Sequence, residues 1–164
     1  MWGCFTEQVQ SGHDAAFQVG DRFGGWLRNL GWPPAAAETL VSAVSAALDN
    51  ACVHAYPAGA PGPVVLRTHP LGGLNGLYRM VVTVADRGRW RDPGPHALPG
   101  GRQHGLGLIR ARTDHLQLTG TAAGTRLTMI SPPERLRLPA HPLVVRTAAH
   151  GSPALAGDRS GAGR

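Results

Sequence analysis

The 164-residue chain carries sixteen arginines, no lysine, ten acids and eight histidines, for a formal net charge of +6. That length and an ordinary apolar share suit one domain with a tail, and the missing lysine excludes a Walker-type phosphate loop. The positive charge would attract phosphates, nucleic acid or an acidic protein without choosing among them.

Residues 1–12 show little pattern and read as a flexible leader; they lack the basic and apolar regions of a signal peptide. Across residues 14–30, Ala16, Val19, Phe23, Leu27 and Leu30 recur at helical spacing. Gly24-Gly25 interrupts that helix, and Leu30-Gly31 with Pro33 just beyond ends it. A second helix follows Pro33-Pro34 and runs over residues 35–56. Its stripe of Leu40, Val44, Ala47, Leu48 and Ala51 can face a sheet, and Ala46, Asn50 and His54 form a neighbouring line at i, i+4, i+8. Asp49 lies about 100° round the helix from Asn50.

Residues 57–63, rich in proline and glycine, form a loop. Residues 64–68 and 77–85 read as strands joined by a glycine-rich hairpin connection. Met80, Val82 and Val84 share one face of the second strand, so helices are expected to cover one face of the sheet. Residues 91–104 have no apolar period and read as a mobile loop. A short helix over 105–115, with Leu106, Ile109 and Thr113 inward, precedes a hairpin made of 116–118 and 125–130. The Pro/Arg/Gly-rich residues 132–164 cannot bury enough apolar surface to offset the entropy of ordering, so disorder is expected there.

The polar residues are informative in their order. Asn50 by itself is an ordinary helix amide, but two motifs follow it. One is Asp86-x-Gly88, where a strand ends; the other is Gly105-x-Gly107-Leu108, at a helix start whose amides could receive phosphate oxygens. Cys4 and Cys52 have no zinc or redox spacing and are expected as reduced thiols in a cytoplasmic protein. No run approaches the roughly 20 apolar residues that span a bilayer.

Asn50-Ala51-x-x-His54-Ala55-Tyr56, Asp86-x-Gly88 and Gly105-x-Gly107-Leu108, with Gly124-Thr125 before the last strand, resemble the N, G1 and G2 boxes of the histidine-kinase-like ATPase superfamily. Within it the chain is most similar to the anti-sigma factor serine/threonine kinases. The likeness covers residues 17–130, inside a domain placed at 13–131. It implies a two-layer α/β sandwich of the Bergerat type, with a mixed, mostly antiparallel sheet covered on one face by helices.

The resemblance also implies ATP and Mg²⁺ as cofactors, with Asn50 as the metal ligand. Asp86 would accept a hydrogen bond from the adenine amine, and Gly88 would admit the base close to the backbone. Gly105, Leu106, Gly107 and Leu108 would form the phosphate end, Arg102 or His104 would reach the phosphates from a lid, and Thr125 would contact adenine through water. Trp90, at a position where the family often has glycine, is read as a core residue. The implied partners are a sigma factor and an anti-anti-sigma protein, and family members often form homodimers.

One departure bears on activity. These kinases carry a glutamate one helical turn before the N-box asparagine as general base, and here that position is Ala46. A positioned base contributes about 10²–10⁴-fold. Glu38 lies roughly 18 Å away along the helix and cannot substitute. Nucleotide binding is therefore expected with weak or absent kinase activity. The alternatives are a non-catalytic, nucleotide-dependent interaction module and, ranked lower, an arginine-rich nucleic-acid binder without aromatic interleaving.

Overall fold

The computed structural model describes residues 3–12, 14–57, 59–89 and 102–136. Its elements follow the order β1 (Phe5–Gln10), α1 (Ala15–Asn29), α2 (Pro34–His54), β2 (Pro63–Gly72), β3 (Leu77–Asp86), α3 (Arg102–Arg112), β4 (His115–Thr121), β5 (Gly124–Ile130) and β6 (Glu134–Arg135). A 3₁₀ turn at Leu74–Gly76 joins β2 to β3. The strands lie in the order β1-β2-β3-β5-β4, and β6 pairs with the start of β3. Every pairing among the described strands is antiparallel, so the parallel component expected of a mixed sheet is not found among them. The short β2–β3 and β4–β5 connections impose that direction, because a parallel pair needs a long crossover.

Period-two alternation sets the inner face. Val64, Leu66 and Thr68 of β2, Met80, Val82 and Val84 of β3, and Leu127 and Met129 of β5 are buried. The register places Leu66 opposite Val84 and Val82 opposite Met129, so these residues form one continuous surface. The helices cover it. From α2 come Leu40, Val44, Ala47, Leu48 and Ala51, the stripe read from spacing, and from α1 come Val19, Phe23 and Leu27.

The end of α1 is a Schellman motif. Gly31 takes φ +76°, Gly31 N–H donates to Arg28 O, and Trp32 N–H donates to Leu27 O, both at 3.0 Å. Two glycines inside α1 serve its packing. A Cβ on Gly20 would stand 2.7 Å from Ser45 Oγ and one on Gly24 would stand 3.4 Å from Val41, so α1 approaches α2 closely along this line. That approach offsets the helix propensity lost at each glycine, about 1 kcal/mol.

The structure corrects the reading of both ends. Within the supposed leader, Phe5–Gln10 forms edge strand β1, paired with β2 from Phe5↔Thr68 to Gln10↔Pro63. Phe5 packs its ring 5.7 Å from Phe23 and 5.6 Å from Trp26, and Glu7 pairs with Arg22 at 2.8 Å. Alternate residues thus face α1, and three aromatic rings give the segment enough buried surface to order it. At the other end, Glu134–Arg135 extends the sheet as β6 and Leu136 packs against the core, inside the segment read as tail. The buried Ser131 holds this exit, its Oγ accepting from Met80 N–H at 2.9 Å. The rest of that tail, 137–164, lies outside the described residues, as do Trp90 and the loop residues 91–101.

Candidate functional site

The last turns of α2, the end of β3, the start of β5 and one side of α3 meet around a cleft of about 410 Å³, its open mouth included. Asn50, Asp86, Thr125 and Leu106 line it together with the small side chains of Ala47 and Ala51. Val84, Leu118 and Leu127 complete walls that are mostly apolar. Four residues singled out from four separate stretches of the chain therefore converge on one cleft.

Asp86 organises the floor. Its Oδ1 accepts hydrogen bonds from Gly88 N–H at 2.9 Å and from Thr125 N–H at 3.2 Å, joining the end of β3 to the start of β5. Two glycines allow this closeness. A Cβ on Gly88 would lie 2.0 Å from Ala55 O, and Arg89 N–H donates to that same carbonyl at 3.1 Å. Gly124, at φ +134°, would place a Cβ 2.1 Å from Asp86 O. Neither position has room for a side chain.

Tyr56 carries a role that the sequence reading did not assign. Its hydroxyl donates to Pro63 O at 2.6 Å and accepts from Arg87 N–H at 2.9 Å, tying the end of α2 to β2 and to the turn after Asp86. Gly62 lies under its ring, where a Cβ would stand 2.0 Å from a ring carbon. Burial, aided by the charge of Asp86, holds the Tyr56 pKa above the ordinary tyrosine range, so the hydroxyl keeps its proton. The clue in the sequence was a tyrosine two residues past the end of α2, just ahead of the Pro/Gly-rich loop. Cys52 is half-buried, and burial first, with Asp49 and Asp86 adding to it, pushes its thiol up, away from nucleophile or metal-ligand chemistry.

Asn50 stands beneath α3. Its Nδ2 is buried without a hydrogen-bond partner, and a Cβ on Gly105 would lie 2.8 Å from it. Here the structure corrects the expected helix start. α3 begins at Arg102, so Gly105 and Gly107 sit inside the helix and do not open it. Arg-Gln-His ahead of Gly105 contains no helix breaker, so the helix extends backward through those three residues. The structure brings Gly105 and Leu106 to the cleft side, whereas Gly107 and Leu108 are exposed and line no part of it. The side chains of Arg102 and His104 lie outside the described part of the structure.

Ala46 is half-buried against the core and Asp49 is exposed. Among the described residues, no group of three or more His, Cys, Asp or Glu side chains is placed to hold a metal ion. No helix among them is long and apolar enough to cross a membrane.

Comparisons with known proteins give the family and the fold. Residues 13–131 match the histidine kinase-like ATPase domain, and the chain belongs to that family. Its fold is similar to the crystal structure of the RsbU and RsbW domains of Rv1364c from Mycobacterium tuberculosis, at TM-score 0.63 and 23% identity, covering 82% of this chain and 33% of that one. It is also similar to the Erythrobacter litoralis EL346 blue-light activated histidine kinase, at TM-score 0.50 and 21% identity, covering 73% and 46%. The chain thus spans less than half the length of either structure. No protein of curated function matches it at a significant level.

Proposed function

We propose that this chain binds Mg-ATP in the cleft between α2, α3 and the sheet, and acts as a nucleotide-controlled regulatory protein of the anti-sigma kinase type. The observation that carries the reading is Asp86, a carboxylate held by two backbone amides at the floor of an otherwise apolar cavity. A fixed acceptor between apolar walls suits the flat face and exocyclic amine of adenine, and it disfavours guanine, which presents an oxygen there. Thr125, beside it, supplies a hydroxyl to the same wall.

The site also suits a magnesium–nucleotide pair. The unsatisfied Asn50 Nδ2 is a buried donor that a phosphate oxygen would relieve, at a standing cost of about 1–3 kcal/mol without one. Mg²⁺ takes oxygen ligands and keeps water and phosphate in most of its positions, so one amide oxygen from the protein is enough. Bound there, the ion would offset phosphate charge.

Phosphoryl transfer is the weaker part of the proposed activity. Ala46 offers a methyl group where a base is needed, and the nearest carboxylate, Asp49, faces solvent. A nucleotide-dependent interaction module, holding a sigma factor or an anti-anti-sigma protein without phosphorylating it, is accordingly the second reading. The proposed setting is the cytoplasm, which supplies ATP and keeps Cys4 and Cys52 reduced.

Calorimetric titration of ATP, with and without Mg²⁺, on the wild type and on Asn50→Ala tests the site. The expected result is magnesium-dependent binding that Asn50→Ala abolishes. A folded wild type that binds no ATP would leave only a nucleotide-free interaction protein.

A further inference from the structure

The sheet has a second face, which no helix covers among the described residues. Alternation turns Val65, Arg67 and His69 of β2, Val81, Thr83 and Ala85 of β3, and Arg126, Thr128 and Ile130 of β5 toward it. A groove crosses this face, lined by Gln8, Val65, Arg67, Thr83, Arg87 and Arg126 among others. Ala85 pairs with Val65 on one side and with Arg126 on the other, while Arg67 pairs with Thr83 one step along. Arg67 and Arg126 therefore stand two strands and two residues apart, roughly 12 Å between Cα atoms.

The charges on this face have one sign. No Asp or Glu occupies an outward position on any of the six strands. Arg79 is neutralised by Asp114. Arg67, Arg87 and Arg126 make no ion pair among the described residues. Asp86 borders the groove, with its Oδ1 engaged by the Gly88 and Thr125 amides. Among the guanidinium groups lie Val65 and Ala85, a partly buried apolar pair, with Thr83 beside them.

Possible occupants differ in how well they fit. A second copy docked by the same face would set arginine against arginine, at a cost of several kcal/mol. The stretches of this chain outside the structure offer no acidic run: residues 90–101 contain only Asp92 and residues 137–164 only Asp158. Nucleic acid would find no Phe, Tyr or Trp side chain on this face for stacking bases. We infer that the open face of the sheet docks an acidic segment of another protein, its carboxylates meeting Arg67, Arg87 and Arg126 and its apolar side chains covering Val65 and Ala85. This surface is distinct from the nucleotide cleft, which lies under the helices.

The test is fluorescence anisotropy with a labelled ten-residue peptide of alternating glutamate and leucine. Wild type, R67E/R126E and the charge-matched control R28E/R110E are compared, and labelled ten-residue oligothymidylate serves as the nucleic-acid probe. The peptide should bind the wild type, bind R67E/R126E about tenfold more weakly or worse, and bind R28E/R110E within about twofold of wild type. Oligothymidylate should bind about tenfold more weakly than the peptide. Unchanged binding to R67E/R126E, equal losses in both double variants, no peptide binding to the wild type, or oligothymidylate binding as tight as peptide binding would each overturn the proposal. If the ATP titration or the melting curve shows R67E/R126E misfolded, R67Q/R126Q replaces it, with an expected loss of at least about threefold and no loss counting against the proposal.

Discussion

Gly105 and Asn50 touch across the mouth of the cleft: α3 sits so close to α2 that a Cβ on Gly105 would be 2.8 Å from the asparagine amide nitrogen. Alanine at 105 would gain up to about 1 kcal/mol of helix propensity, yet it would displace the amide or push α3 outward. Gly105→Ala is expected to change the melting temperature by only a few degrees while weakening magnesium-dependent ATP binding by about fivefold or more. Calorimetry on the folded variant decides it, and unchanged affinity would separate the contact from the binding site.

Asp86 combines a structural and a recognition role, and two substitutions divide them. Asp86→Ala leaves the Gly88 and Thr125 amides without their acceptor and should cost about 2–4 kcal/mol in denaturant unfolding. Asp86→Asn keeps an acceptor oxygen and should unfold much closer to wild type. Both should lose the preference for ATP over GTP. An Asn variant that still discriminates between the two would remove Asp86 from base recognition.

The alkaline limb of stability should report on Tyr56. With no lysine in the chain, its two tyrosines and two cysteines are the main side chains titrating there. Burial raises the Tyr56 pKa in the fold, so the unfolded chain loses this proton first. The contribution is therefore complete below the ordinary tyrosine pKa of about 10 and fades as pH rises through the higher folded value. Cys52, raised from 9.0, adds a decline of the same sign starting lower. Tyr56→Phe should lower stability near pH 8 by about 1–3 kcal/mol through its lost hydrogen bonds and flatten the decline above about pH 10. Melting temperatures of both proteins over that range check this, and parallel slopes would contradict it.

Ala46 offers a gain-of-function test. It lies one turn before Asn50, and Ala46→Glu would place a carboxylate near the proposed phosphate end. Transfer of labelled γ-phosphate to a cognate anti-anti-sigma protein should rise by about 10²-fold. No rise, with ATP binding intact, would mean that a missing base does not limit this protein.

Local signals carried much of the fold. The buried stripe of α2 follows from 3.6-residue periodicity, and the end of α1 from Leu30-Gly31, because helix termination depends on a left-handed residue only glycine adopts easily. Asp86 and Asn50, ordinary by local signals alone, were legible as candidate site residues through the order of the motifs and the family resemblance that order carries. β1 was hidden, since a six-residue strand with two inward apolar residues means nothing until β2, more than fifty residues later, is beside it. The start of α3 was misread because the Gly105-x-Gly107 pair was taken as its opening, although Arg102, Gln103 and His104 ahead of it contain no helix breaker.

Sequence by itself determined α1, α2 and the central strands and which polar residues stand at their ends, since those properties depend on neighbours a few positions away. Tertiary structure alone decided that Asn50, Asp86, Leu106 and Thr125 share one cleft. It also decided that Gly88 lies against Ala55 and Gly105 against Asn50, and that Arg67 and Arg126 look out from the same uncovered face. Those relationships arise from strand order and helix docking, where residues far apart in the chain meet, and no local pattern encodes the distance between them.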